Sequence, residues 1–192
     1  MTDRLLRTFI SIPIPNEVRT KKNMLYSTLE NSPANINWVK NEQLHLTIKF
    51  LGHTPESLFD EIKDGLCNIA SSIRPFDLII DKTGCFPIPE RPRVLWLGID
   101  GNIKTLSNLF SNVEKKMEEL GFSSQDQDYF PHVTLARVKY PQKYTPDVST
   151  FLNSSYDPID FKADRVQFLS SELLPTGTVY TLLGSFPLGE KL

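Results

Sequence analysis

Cysteine is almost missing from this chain: Cys67 and Cys85 are the only two in 192 residues, too few for a disulfide framework at this size. Each is expected to behave as a small buried hydrophobe, and a cytoplasmic home is the default. Also missing is any apolar run near the ~18 residues of a membrane span. The N-terminal MTDRLLRTFISIPIP is apolar only briefly. Pro13 and Pro15 interrupt it and no small-residue cleavage site follows, so it reads as a first strand rather than a signal peptide. Neither sign of charge dominates: 21 Lys plus Arg stand against 23 Asp plus Glu, a net charge of −2. That argues against a broad nucleic-acid-coating surface. It leaves room for a local pocket that grips one phosphate and one or two bases, so any RNA would be held at its end. No Gly-rich phosphate loop is present, which disfavours ATP-dependent ligation, and no H-E-x-x-H or paired-cysteine spacing recommends a metal.

What is there is an ordinary globular composition, with 40% hydrophobic residues and enough length to bury a sizeable core. One domain over residues 1–192, built of two lobes sharing a cleft, is the expected organisation. The apolar periodicity predicts strands near 5–12, 36–39, 44–51, 76–84, 93–99, 131–138, 159–169 and 178–186. Pro175 and Gly177 mark the turn between the last two. Helices are predicted over 16–31, with Asn16 as cap and Val18, Leu25 and Leu29 on one face, and from Pro55 to Ile73, capped by Thr54. The most regular helix runs from Asn102 to a stop at Gly121, with Ile103, Leu106, Phe110, Val113, Met117 and Leu120 as its stripe. A short helix is expected near 147–153, and 123–128 reads as a loop. Helices alternating with pairs of strands make the class α+β with largely antiparallel sheets.

One pattern occurs twice. An amphipathic helix, a polar or extended stretch, and a His-apolar-Thr-apolar strand end in HLTIKF at 45–50 and again in HVTLAR at 132–137. This is a diverged internal repeat, and it fits a duplicated lobe about a pseudo-two-fold axis. In a strand, His45 and Thr47 point one way while Leu44, Leu46 and Ile48 point the other, and His132 and Thr134 stand likewise against Val133 and Leu135. A lone His on a half-buried strand is more often a satisfied polar residue than a catalyst, and Thr is a good strand former. Of the three histidines in the chain, however, two carry the motif. In-line displacement at phosphorus needs a base behind the nucleophile and an acid behind the leaving oxygen. Two strands facing one another can supply both, and histidine suits both because its ordinary pKa of about 6.5 lets neutral and protonated forms coexist. The Thr hydroxyls can donate to the non-bridging phosphoryl oxygens.

At these residues the chain resembles the 2H phosphoesterase superfamily, and within it the RNA 2′,3′-cyclic phosphodiesterases once called bacterial 2′-5′ RNA ligases. RTFISIPIP at 7–15, HLTIKFLG at 45–52, GCFPIPERPRVLWLGI at 84–99, PHVTLARV at 131–138 and LSSELLPTGTVYTLLGSFPL at 169–188 carry the resemblance. It implies a bilobal fold with the cleft between two antiparallel sheets and helices outside, no metal and no cofactor. It also implies hydrolysis of RNA ends bearing a 2′,3′-cyclic phosphate to 2′-phosphomonoesters, with reverse 2′-5′ joining as a side activity. By matching position His45, Thr47, His132 and Thr134 become the catalytic set, with His132 as base and His45 as acid. A non-catalytic binder of nucleotides or 2′-5′ oligonucleotides is the competing reading, though binding alone would not need a matched acid and base.

Phe50 and Arg137 lie five residues past each histidine, and the resemblance implies that they sandwich the nucleobase. Strict alternation places both on the wrong face, so the reading needs a bulge or a strand end, which Gly52 makes reasonable after Phe50. Lys49 shares a face with His45 and Thr47 under the same alternation and is expected at the cleft rim, solvated or leaning toward the phosphate. His53 is expected on a surface loop, and a three-histidine zinc site of His45, His53 and His132 is the weaker alternative. Asp126 and Asp128 read as solvent-loop residues. Arg91 and Arg93 either add positive potential or flank a strand entry.

Overall fold

A computed structural model describes residues 3–124, 128–175 and 177–189. In chain order the elements are β1 (Leu5–Pro13), α1 (Glu17–Ser27), β2 (Ile36–Trp38), β3 (His45–Pro55), α2 (Phe59–Ser72), β4 (Phe76–Phe86), β5 (Val94–Gly101) and α3 (Ile103–Glu119). Then follow β6 (His132–Val138), α4 (Ser149–Leu152), β7 (Ile159–Ala163), β8 (Arg165–Leu174) and β9 (Gly177–Pro187), and short 3-10 turns span 41–43 and 56–58.

The strands form one curled sheet in the order β7-β4-β5-β6-β3-β1-β8-β9, with β2 paired to β6. All described pairings are antiparallel. The sheet divides naturally at its middle. β3 and β6 share one described register pair, Leu46 opposite Val133, whereas β1 pairs β3, and β5 pairs β6, along most of their lengths. Two antiparallel halves, β3-β1-β8-β9 and β7-β4-β5-β6, therefore meet at a narrow seam. Each half has its own apolar core. Leu46 and Ile48 pack with Ile62, Leu66, Leu106 and Val113 of α2 and α3. Val133 and Leu135 pack with Val18 and Leu25 of α1 and Phe151 of α4. The expected α+β class with antiparallel strands and helices laid outside is the observed one.

Most predicted elements form, and the differences are local. In α3 the Asn102 side chain caps as expected, accepting from the Thr105 N–H at 3.1 Å. Leu106, Leu109, Val113 and Met117 are fully buried, and Gly121 leaves the helix at φ 90. Asn16 does not cap α1: its backbone is already helical (φ −66, ψ −24) and its side chain makes no capping bond. An N-cap needs an extended backbone to reach back. The helix also stops at Ser27, four residues early, with Leu29 buried in the following turn.

Thr54 does not cap α2 either. It is fully buried inside β3, where its hydroxyl meets that of Thr8 at 2.7 Å. Strand pairing continues to Pro55 opposite Leu5, so His53 is a strand residue, exposed beside Arg7, rather than part of a loop. The single strand expected over 159–169 is broken at Asp164. β7 pairs β4 in one half and β8 pairs β1 in the other, so this break is where the chain crosses between halves.

Candidate functional site

Both His-x-Thr strands carry an extra residue at the same offset. In β3, Thr47 lies opposite Ser11 and Lys49 opposite Ile10, leaving Ile48 as the inserted residue. In β6, Thr134 lies opposite Trp96 and Ala136 opposite Leu95, leaving Leu135 unpaired. A bulge of one residue reverses side-chain parity beyond it. The burial sequence along 45–50 and 132–137 is accordingly the same: half-buried, buried, half-buried, buried, buried, exposed.

This geometry sorts the predicted residues. With Leu46 opposite Val133 and both turned into the cores, His45, Thr47, His132 and Thr134 rise from the other face of the sheet, around one point of the seam. Past the bulges, Phe50 and Arg137 come round to that same face. His45, Thr47, Phe50, Thr134 and Arg137 line a cavity of about 450 Å³. His132 is not among its lining residues, though Thr134 of the same strand is. Phe50 is 63% exposed at the rim.

The two imidazoles are held alike. Nδ1 of His45 lies 2.7 Å from the carbonyl of Gln43, and Nδ1 of His132 lies 2.8 Å from that of Phe130. A carbonyl only accepts, so each Nδ1 carries the proton and each neutral ring keeps its lone pair on Nε2. Aromatic walls hold the planes. His45 packs against Phe9 (4.8 Å between centroids) and Tyr180 (5.6 Å), and His132 against Phe86 (5.2 Å) and Phe130 (6.3 Å). Trp96 backs the second wall at 6.3 Å, and it fits because Gly84 has no side chain: a Cβ there would fall 2.1 Å from the indole.

Burial in these walls pushes both histidines below the ordinary imidazole range. The carbonyl bonds oppose that shift, while the Arg137 cation adds to it at both rings, and His132 adds to it at His45. Both rings are thereby biased toward the neutral form.

Lys49 is a correction. It is not at the rim but 3% exposed on the opposite side of the sheet, its Nζ 2.7 Å from both carboxylate oxygens of Glu114 in α3 and 2.9 Å from the Ser123 carbonyl. The bulge at Ile48 is the reason, because the same parity change that brings Phe50 out sends Lys49 in. Arg91 and Arg93 do not line the cavity; both guanidinium groups sit over the Tyr140 ring, at 5.2 and 5.6 Å. Asp128 is exposed, and Asp126 lies outside the described residues. Cys67 and Cys85 are unpaired and half-buried. Among the described residues no three His, Cys, Asp or Glu side chains converge as a metal would require, and no helix is long and apolar enough to cross a membrane.

Sequence reasoning missed Arg7, Gln43 and Tyr180, which also line the cavity. The Gln43 amide donates to the Thr178 carbonyl and so ties the turn before His45 to β9. Burial raises the Tyr180 phenol, with Arg137 and Arg7 pulling the other way. The signal for Tyr180 was available: it closes the TGTVY run, and alternation along β9 puts Thr178 and Tyr180 on one face.

Comparison with known proteins matches this duplicated geometry. The model of the LigT-like phosphoesterase family fits the chain twice, over residues 12–96 and 97–180, so each copy contains one His-x-Thr strand. The chain is similar to the RNA 2′,3′-cyclic phosphodiesterase of Thermotoga maritima, 32% identical over 179 residues that cover 93% of each protein. It is likewise similar to the protein of the same name from Methanothermobacter thermautotrophicus, 31% identical over 95% of this chain and 99% of that one. A crystal structure of a Thermus thermophilus protein superposes with a TM-score of 0.79 at 27% identity, covering 97% of this chain and all of that one.

Proposed function

The chain belongs to the LigT-like phosphoesterase family, and from that premise we propose that it is an RNA 2′,3′-cyclic phosphodiesterase working by two-histidine acid–base catalysis. The observation that carries the mechanism is the matched pair of Nδ1–carbonyl bonds, which leaves the Nε2 atoms of His45 and His132 as the free proton-handling groups on one face of the sheet.

Nε2 of His132 takes a proton from water as its oxygen bonds to phosphorus. Opposite it, protonated His45 gives its Nε2 proton to the 3′ oxygen as the P–O3′ bond breaks, leaving a 2′-phosphomonoester. Both rings are biased neutral by their surroundings, and an anionic phosphate between them favours protonation, which supplies the acid. Thr47 and Thr134 hydroxyls donate to the non-bridging oxygens, where a positioned donor is worth ~2.7–4 kcal/mol. Phe50 and Arg137, brought to the same face by the twin bulges, hold the base of the terminal nucleotide between an aromatic and a guanidinium plane. Run in the same direction with a 5′-hydroxyl in place of water, the same steps form a P–O5′ bond as P–O3′ breaks and so join RNA ends through a 2′-5′ linkage.

The test is to give purified protein, in the presence of chelator, a nucleoside 2′,3′-cyclic phosphate and an RNA ending in one. The expected product is the 2′-phosphate. His45→Ala and His132→Ala should each lose about 10²–10⁴ of turnover, the usual share of a general acid or base. Near-normal turnover in both variants sinks the mechanism. Tight binding without turnover in the parent would favour a nucleotide-binding role for the same cleft.

A further inference from the structure

The two halves of the sheet share one described ladder pair, Leu46 with Val133. A mechanism that places one phosphate between imidazoles from both halves needs their separation fixed more firmly than that. On the far side of the strands, α3 supplies a second join. Phe110 and Glu114 are one helical turn apart and so present neighbouring side chains. Glu114 takes the buried Lys49 ammonium that the bulge in the first motif turns inward, and the same ammonium donates to the Ser123 carbonyl. Phe110 stacks face to face on Tyr129, 4.2 Å between centroids and 7° between planes. The Tyr129 hydroxyl then donates to the backbone carbonyl of Thr47 at 2.9 Å. Tyr129 is three residues before His132 and next to Phe130, whose carbonyl orients the His132 ring.

We propose that Tyr129 is a positioning residue: stacked on Phe110 of α3, the helix that Lys49 anchors through Glu114, it ties the second histidine motif to the Thr47 carbonyl of the first and so sets the spacing of the two imidazoles. The proposal goes beyond the two-histidine reading and rests on it for its kinetic readout. The phenol's hydrogen bond is to backbone and Tyr129 is not among the residues lining the cavity, so it acts through Thr47 and His132 and not on substrate.

Tyr129→Phe isolates the contact, because it keeps the ring and its stack on Phe110 and removes only the hydroxyl. With a nucleoside 2′,3′-cyclic phosphate, kcat should fall about tenfold while KM stays within twofold and the melting temperature stays close to that of the parent. A second readout needs no substrate. Burial first, and then the Arg137 and His132 charges, hold His45 below its ordinary titration range, and a looser seam weakens both the burial and the His132 share. NMR titration of His45 in Tyr129→Phe should therefore move toward higher pH. A kcat within twofold of the parent overturns the proposal, and so does a His45 titration that does not move. If the parent itself fails to turn over the cyclic phosphate, the functional reading falls, and the titration alone decides the clamp.

Discussion

Arg137 acts on the site in two separable ways. Its plane is proposed to stack on the nucleobase, and its charge lowers the pKa of both His45 and His132. A nearby cation disfavours the protonated imidazole, so removing it must raise both values. Arg137→Gln should therefore shift the rising limb of the kcat/KM profile, which reports the free enzyme's base, toward higher pH. Activity at pH 6 relative to pH 8 should drop, along with a rise in KM from lost stacking. Phe50→Ala shares only the second effect: weaker binding by ~1–3 kcal/mol with the profile unmoved. Parallel pH–rate profiles of the two variants separate charge from stacking, and identical profiles would refute the assigned electrostatic role.

At the scale of the strand, the decisive feature is a single inserted residue, and it is also what the sequence hid. Alternation makes the His-x-Thr faces readable, because period two is written in which residues are apolar. A bulge leaves no compositional mark: LTIKF and VTLAR look like uninterrupted strands. Strict alternation puts Phe50 and Arg137 on the wrong face, which is why their expected place at the cleft needs a bulge, and it puts Lys49 on the right one; both placements reverse once Ile48 and Leu135 are skipped. Asn102 caps α3 as expected, but the Thr54 cap failed for a related reason: Thr54 satisfies the local rule for a cap, yet its ladder position opposite Leu6 and its hydroxyl contact with Thr8 keep it in a strand. The burial of Lys49 yields its own prediction. Lys49→Met leaves the Glu114 carboxylate without that ammonium in a nearly closed site, and breaking a buried pair from one side costs about 3–5 kcal/mol. The urea midpoint should fall accordingly. A rim lysine, by contrast, would change it by no more than ~0.5 kcal/mol, so a small shift counts against the burial described above.

Across the whole molecule, duplication explains why so little charge suffices. In the proposed mechanism each half brings one imidazole, one hydroxyl and one stacking group to the seam, and an anion held by converging donors needs no broadly basic surface around it. The same arrangement has a consequence for stability. Two histidines are held in the fold below their ordinary pKa of about 6.5, whereas in the unfolded chain they titrate near that value. Between the folded and unfolded values the unfolded state binds more protons, so stability rises with pH in that window. It is fully present above about pH 6.5 and is lost as pH falls toward the folded values. Asp147 and Asp164 are also depressed, Asp147 first by the backbone N–H of Ser149 and Asp164 first by the Arg165 side chain. Their loss sets in only near the ordinary carboxylate range, well below the histidine window. Urea unfolding at pH 5, 6, 7 and 8 should therefore show the parent weakening below pH 7. A His45→Gln/His132→Gln double variant, with nothing to protonate at the seam, should be flatter over the same interval. Equal slopes for the two proteins would mean that the imidazoles are as solvated in the folded state as in the unfolded one, and would overturn the depression assigned to their burial among the aromatic walls.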